Sequence, residues 1–127
     1  MKTIGASLLH VKPGKVEIRL AYEKSLTQQH GFIHAGIVST VLDSACGYAA
    51  FSLMPEDAAV LSVEFKTNLL APAKGDYFIA KAQVVKPGKT ITVTSAELFA
   101  YSDGEEKLVA TMNGTMMAVY GRDNIQH

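Results

Sequence analysis

A polar loop that leads into one long apolar helix decides the fold of this chain, and residues 28–53 contain both: QQHGFIHAGIVSTVLDSACGYAAFSL. From residue 35 to residue 53 apolar side chains recur at spacings of three and four, which predicts an amphipathic helix. Pro55 lies just beyond its end, where helices commonly stop. The predicted buried stripe consists of Ile37, Val38, Val41, Leu42, Ala45, Ala49 and Ala50.

Strands are predicted on both sides of this helix. Residues 16–22 alternate between apolar and polar, and residues 7–11 can pair back onto them across a Pro-Gly turn. After the helix, alternating runs predict four more strands, joined by tight turns that make the pairing antiparallel. Those runs cover residues 61–69, 77–85, 90–101 and 107–120. The sequence thus predicts one α+β domain over residues 1–127, with a six-stranded antiparallel sheet and one helix.

Two further features of this sheet can be read from the sequence. One helix cannot cover both faces of six strands, so an exposed face or edge is expected to meet another subunit. The pentapeptide VKPGK occurs at residues 11–15 and again at residues 85–89, and we interpret it as two uses of one turn.

The composition argues against several classes of protein. Twelve basic and twelve acidic residues give no net charge, so no nucleic-acid or anionic membrane surface is indicated. No apolar run approaches the length of a membrane span or a signal segment. The single Cys46 excludes an intrachain disulfide, and the four histidines show no metal-ligand spacing. We therefore expect a soluble cytoplasmic protein without a metal.

Asp43 is the residue that most needs an explanation, because it lies within an apolar helix, where an unpaired carboxylate is costly. Helical spacing puts Gly36, Thr40, Asp43 and Gly47 on one stripe. Each glycine costs a helix roughly 0.8 to 1 kcal/mol relative to alanine, so close approach by a backbone or a ligand is a reason for them. Asp43 is thus a candidate for catalysis, or else a partner for a neighbouring strand.

The start of the predicted helix offers a second chemical group. The first N–H groups of a helix have no intrahelical acceptor and, with the helix dipole, suit an oxyanion developing on a carbonyl. Gln28 lies seven residues before Ala35 and can bring a side-chain amide to the same place.

Together these residues resemble the hot-dog thioesterases, in particular the phenylacetate-degradation and 4-hydroxybenzoyl-CoA type. Those enzymes have a loop Asn or Gln, a glycine at the helix start seven residues later, and an Asp or Glu after eight more. Gln28, Ala35 and Asp43 stand at these spacings, with His34 and Gly36 on either side of Ala35. Residues 62–66 and 71–76 resemble the family's third strand and following turn, and the likeness extends over residues 31–120.

The resemblance implies a hot-dog fold, in which the sheet wraps around the helix, and hydrolysis of a small or medium acyl- or aryl-CoA thioester to acid and CoA. Asp43 would act as general base or nucleophile, and the Ala35 N–H would bind the carbonyl oxygen. Gln28 would hold that oxygen or the water, and Ser62 would orient the water. No cofactor is implied beyond the CoA of the substrate. The candidate substrate-binding residues are His34, Gly36, Gly47, Lys86, Gly88 and Lys89.

In this family the site lies between two subunits, so the resemblance implies a homodimer or homotetramer. One position departs from the pattern, because the family has glycine where this chain has Ala35. If that position needs a positive φ, alanine is strained; if it is ordinary helix, only its N–H matters. The departure favours one alternative, a non-catalytic acyl-CoA-binding or regulatory module. A dehydratase or hydratase using His34 with Asp43, and carrier-protein thioesters in place of CoA, are further alternatives.

Several of these residues also have simple structural interpretations. Cys46 is expected to be an inert core thiol, and His34 to shape the loop by local hydrogen bonds. Residues 86–89 are either a site for CoA phosphates or a plain solvated hairpin. Met112, Met116 and Met117 either line an acyl tunnel or fill the core.

Overall fold

The computed structural model describes residues 6–28 and 31–120, which form one sheet and one long helix. The predicted six-stranded antiparallel sheet with a single long helix is confirmed. A 3-10 turn at Lys24–Leu26 interrupts the loop before the helix. The helix is α1 (Ala35–Phe51), and the strands are β1 (Ala6–Lys12), β2 (Lys15–Ala21), β3 (Ala58–Leu69), β4 (Tyr77–Lys86), β5 (Ile91–Ser102) and β6 (Glu105–Tyr120).

The strand order across the sheet is β1-β2-β4-β5-β6-β3, with antiparallel pairing throughout. β3 follows the helix in sequence but pairs with the last strand, so it lies at one edge of the sheet. The helix packs against β2 to β6, and the core lies between helix and sheet. Its largest fully buried side chains include Ile18, Leu20, Leu42, Phe78, Leu98, Met112 and Met116.

The buried face of α1 differs from the predicted stripe at Ile37, which is only partly buried. Cys46 is fully buried, as expected of a core thiol. Cys46 is buried because it packs against Gly114 of β6, where an added Cβ would lie 3.7 Å from the Cys46 Cβ. The helix ends at Phe51 and is followed by a turn, two residues before the predicted end.

The two VKPGK segments adopt different turns, so the interpretation of them as two uses of one turn was wrong. Gly14 has a φ of 77°, as the third position of a type II turn requires. Gly88 has no positive φ, and an added Cβ there would collide with the Ile91 carbonyl oxygen. The first segment is a two-residue hairpin loop, and the second is a wider connection between β4 and β5. Glycine is therefore required at both positions, for different physical reasons.

A β-bulge divides β3 into two halves whose side chains alternate out of phase. Ser62 pairs with the buried Met116, but Glu64 pairs with Thr115, so the register shifts around Val63. The sequence alternates without a break through this point, which predicts one continuous face. Because of the bulge, Ser62 points to the helix side of the sheet although Glu64, two residues on, points away.

β3 is an edge strand with exposed apolar side chains, beside the exposed charges of Glu64 and Lys66. Leu61, Val63 and Phe65 have 49%, 52% and 47% of their surface exposed. An edge strand with apolar side chains and no proline is a template for pairing with another chain. Among the described residues, no helix is long and apolar enough to cross a membrane.

Candidate active site

His34 forms the cap of α1 and accepts nearly all the hydrogen bonds that the helix start offers. Its Nδ1 accepts from the Gly36 N–H at 3.0 Å. Its carbonyl oxygen accepts from the N–H groups of Ile37 at 3.0 Å and Val38 at 3.1 Å. The Ala35 N–H is thus the one donor of the first helical turn without an acceptor among residues 6–28 and 31–120.

This arrangement also explains two neighbouring features of the sequence. A Cβ on Gly36 would lie 3.2 Å from the His34 Nδ1, so the capping ring leaves little room for a side chain there. Because Nδ1 accepts a hydrogen bond, neutral His34 carries its proton on Nε2. The expectation that His34 shapes the loop locally is confirmed, and the His34 N–H adds a bond to the Leu26 carbonyl oxygen at 3.0 Å.

Ala35 is an ordinary helical residue. Asp103 is the only non-glycine residue with a positive φ in the part of the chain that the structure describes. The strain that alanine would suffer at a left-handed position is therefore absent. Replacing the family's glycine by alanine leaves the backbone N–H in place and adds only an exposed methyl group.

Ala35 lines a cavity of about 580 Å³ together with two other predicted site residues, Gln28 and His34. Gln28 is held in a tight loop, because its N–H donates to the Phe32 carbonyl oxygen at 2.8 Å and its carbonyl accepts from the Gly31 N–H at 3.0 Å. The remaining lining is mostly apolar and comes from the helix, the end of β3 and the loop that follows. It includes Phe32, Val38, Leu69, Leu70, Ala71, Pro72, Ala73 and Val109.

Asp43 is half-buried and has a single hydrogen-bond partner in the described residues. The Ser62 hydroxyl donates to Asp43 Oδ1 at 2.9 Å, and its oxygen also lies 3.4 Å from the Met116 sulfur. The second carboxylate oxygen of Asp43 has no donor within the described ranges. The hypothesis that Asp43 bonds to a neighbouring strand is thus correct for Oδ1, which accepts from Ser62 of β3. The other oxygen is available to a water molecule or a substrate.

Asp43 and Ser62 line a second cavity, of about 470 Å³, with Gly47 beside them. No residue that lines this cavity also lines the first. One chain therefore brings Gln28, His34 and Ala35 together and, separately, Asp43, Ser62 and Gly47. It does not bring the two groups to one point.

Two aromatic side chains of the second cavity had no predicted role. Tyr48 and Phe51 line it and have 42% and 44% of their surface exposed. Phe51 lies four residues after Gly47 and continues the stripe that contains Asp43, so a large apolar side chain on that stripe was the available signal. Tyr48 lies off the stripe and had no comparable signal.

Four predicted substrate-binding residues line neither cavity. Gly36 lies in the first turn of α1, beside the His34 ring. Lys86 at the end of β4, and Gly88 and Lys89 in the connection to β5, are exposed. The Lys89 carbonyl oxygen accepts from the Tyr120 hydroxyl at 3.3 Å, and Tyr120 pairs with Ala58, which lines the Asp43 cavity. The connection therefore lies at the same end of the sheet as Asp43.

Cys46 and the methionines belong largely to the core. Cys46 is fully buried, and this burial is the largest of the effects that raise the pKa of its thiol to about 11. Hydrogen bonding from Thr94 acts in the opposite direction. Met112 and Met116 are fully buried and Met117 is partly buried, which agrees with core filling.

Known proteins match both the fold and the motif-bearing stretch. The profile of the thioesterase superfamily matches residues 30–107, which include Ala35, Asp43 and Ser62. The chain belongs to the thioesterase superfamily. A crystal structure of a thioesterase family protein from Silicibacter pomeroyi is 61% identical, with a TM-score of 0.94 over 95% of this chain and 89% of that one. Human acyl-coenzyme A thioesterase 13 is 31% identical over 105 residues, which are 82% of this chain and 73% of the human protein.

The PaaI protein of the E. coli phenylacetic acid degradation operon, at 24% identity, shares the fold, with a TM-score of 0.83 over 94% of this chain and 83% of that one. The hot-dog fold predicted from the resemblance is confirmed by these structures. Membership of the superfamily makes this chain a thioester hydrolase.

Proposed function

We propose that this thioester hydrolase acts on acyl-CoA, and that each active site combines Asp43 of one copy with the Ala35 N–H of a second copy. The observation that carries the proposal is the position of the two half-sites along β3. The Asp43 cavity is lined by Ala58 and Ser62 near the start of the strand, and the Ala35 cavity by Leu69 at its end.

Two-fold pairing through β3 joins these half-sites. Ala35 and Asp43 stand eight residues apart on α1, about 12 Å along the helix axis at roughly 1.5 Å per residue. Their cavities share no lining residue, so one thioester carbonyl cannot contact both groups within one chain. When two copies of an edge strand pair antiparallel about a two-fold axis, the start of one lies beside the end of the other. The exposed apolar edge around Val63 supports this pairing, and the resulting dimer has two equivalent sites.

The chemistry follows from the two groups. The thioester carbonyl oxygen accepts a hydrogen bond from the Ala35 N–H, and the positive end of the α1 dipole stabilises the oxyanion that forms. The free oxygen of Asp43 takes a proton from water while the water oxygen bonds to the carbonyl carbon. The tetrahedral intermediate then collapses and the C–S bond breaks. CoA leaves as the thiol with the proton that Asp43 took from water, which restores the Asp43 carboxylate.

Ser62 and Gln28 act as positioning residues in this scheme. The single hydroxyl hydrogen of Ser62 is donated to Asp43, so its oxygen remains an acceptor for the attacking water. The bond also fixes the carboxylate with one oxygen free, and an acceptor for water beside that oxygen favours the general-base role over direct attack on the thioester. Gln28 lines the cavity of the Ala35 N–H and supplies an amide for the same carbonyl or for the water.

The CoA moiety requires contacts of a different kind. Its phosphates are anionic, and Lys86 and Lys89 present two exposed ammonium groups at the end of the sheet that carries the Asp43 cavity. We assign these two lysines, with Gly88 between them, to the CoA phosphates.

A thiol-release assay tests the proposal. Purified protein is incubated with acetyl-, hexanoyl- and benzoyl-CoA and with a carrier-protein thioester, in the presence of a reagent that reports free thiols. We expect release of CoA thiol in proportion to enzyme, without background from Cys46, which is buried with a thiol pKa of about 11. Cleavage of the carrier-protein thioester alone, or tight acyl-CoA binding without turnover, would contradict the proposal.

A further inference from the structure

The cavity beside Asp43 is lined mainly by apolar surface. Tyr48, Phe51, Ala58 and Val60 form much of its wall. Asp43 is the one charged residue of this lining in the part of the chain that the structure describes. The polar side chains of the lining are Asp43, Ser44, Ser62 and the phenol of Tyr48, and of these only Asp43 is charged.

Gly47 is the position where this cavity has unused space. It lines the cavity, and an added Cβ would meet no atom of a neighbouring element within 4 Å. It lies four residues after Asp43 and four before Phe51, so a side chain here would project between them. Glycine is unfavourable within a helix, and no close backbone approach within the described residues requires it at this position.

We propose that this cavity receives an uncharged apolar or aromatic acyl group, and that the absence of a side chain at Gly47 sets the largest group it admits. The inference rests on the proposed function, in which the thioester carbonyl lies next to Asp43. The acyl group then extends from the carbonyl along the helix face, past Gly47 and towards Phe51.

The charge of the lining restricts the substrate further. An acyl group that ends in a carboxylate would place a second negative charge in the same apolar cavity as Asp43, with no cationic lining residue in the described chain to balance it. Dicarboxylic acyl-CoA thioesters are therefore poor substrates, whereas straight-chain and aromatic monocarboxylic ones are accepted.

The test measures kcat/KM for wild type, Gly47→Ala and Gly47→Leu with acetyl-, butyryl-, hexanoyl-, octanoyl-, benzoyl- and succinyl-CoA. We expect Gly47→Leu to lower the ratio of kcat/KM for octanoyl- and benzoyl-CoA to that for acetyl-CoA about tenfold or more, with Gly47→Ala intermediate. For the wild type, succinyl-CoA is expected to be about tenfold or more below butyryl-CoA. Acetyl-CoA serves as the internal control, and thermal unfolding confirms that both variants are folded.

The outcomes separate this inference from the function on which it rests. Turnover by wild type with a chain-length profile that neither Gly47 substitution changes would overturn this inference alone. An equal loss for every acyl group, or efficient hydrolysis of succinyl-CoA, would do the same. Absence of turnover on every thioester would overturn the proposed function and this inference with it.

Discussion

Replacing Asp43 by asparagine is expected to lower kcat for acyl-CoA hydrolysis by about 10²–10⁴-fold, the range that a general base contributes. The amide has the shape of the carboxylate, and its oxygen can still accept the hydrogen bond from Ser62. It cannot take a proton from water. KM should change little, because the acyl cavity and the Ala35 N–H are unaltered. Steady-state kinetics with thiol detection, together with a thermal unfolding curve, provide the measurement.

Asp76→Asn is the matched control for this substitution. Asp76 is exposed and lines neither cavity, so the same chemical change should leave kcat within about twofold of wild type, as for surface substitutions away from a site. Equal rates for wild type and Asp43→Asn would show that Asp43 is only a structural partner of Ser62.

Replacing Ala35 by proline is expected to lower kcat by about 10²–10³-fold, which is the effect of losing one oxyanion donor. Ala35 is the first residue of α1, a position where proline is favoured because its missing N–H has no intrahelical acceptor. The preceding residue must be extended, and His34 already has φ −59° and ψ 137°. The substitution therefore removes one N–H while preserving the helix.

Ala35→Gly is the control, since it keeps the N–H and removes only the methyl group. It should retain kcat within a few-fold, and circular dichroism should give the same helix content for both variants. If Ala35→Pro kept wild-type kcat, the oxyanion would have to be stabilised by another group.

Most of the fold was predictable because local sequence signals agree with the final pairing. The apolar spacing of α1 and the Pro-Gly turn at Gly14 each specify their own conformation. The bulge at Val63 was not predictable, because residues 61–69 alternate without interruption and the extra residue is accommodated only when β3 pairs with β6. The second VKPGK segment differs from the first for a similar reason. The last pair of β4 and β5 is Lys86 with Val93, so their connection is longer than the two-residue loop between Lys12 and Lys15.

The residues of the candidate site could be predicted from the sequence, but their hydrogen bonds and their division between two cavities could not. Spacing identified Gln28, Ala35 and Asp43, but nothing in the sequence indicates that His34 occupies the other donors of the helix start. Ser62 was proposed from the family pattern, whereas its bond to Asp43 depends on the bulge. Spacing along one chain also cannot show that Ala35 and Asp43 line two separate cavities. The separation of these cavities depends on how β3 lies at the edge of the sheet.

Complementation between the two inactive variants tests the two-chain site most directly. Asp43→Asn and Ala35→Pro chains are co-expressed in equal amounts, and the purified mixture is assayed for thiol release. In a two-chain site, a hybrid dimer has one intact site and one site with both lesions, so random pairing should restore about one quarter of wild-type activity. If each site were built within one chain, every site would carry a lesion, and the mixture would be no more active than the two variants measured separately.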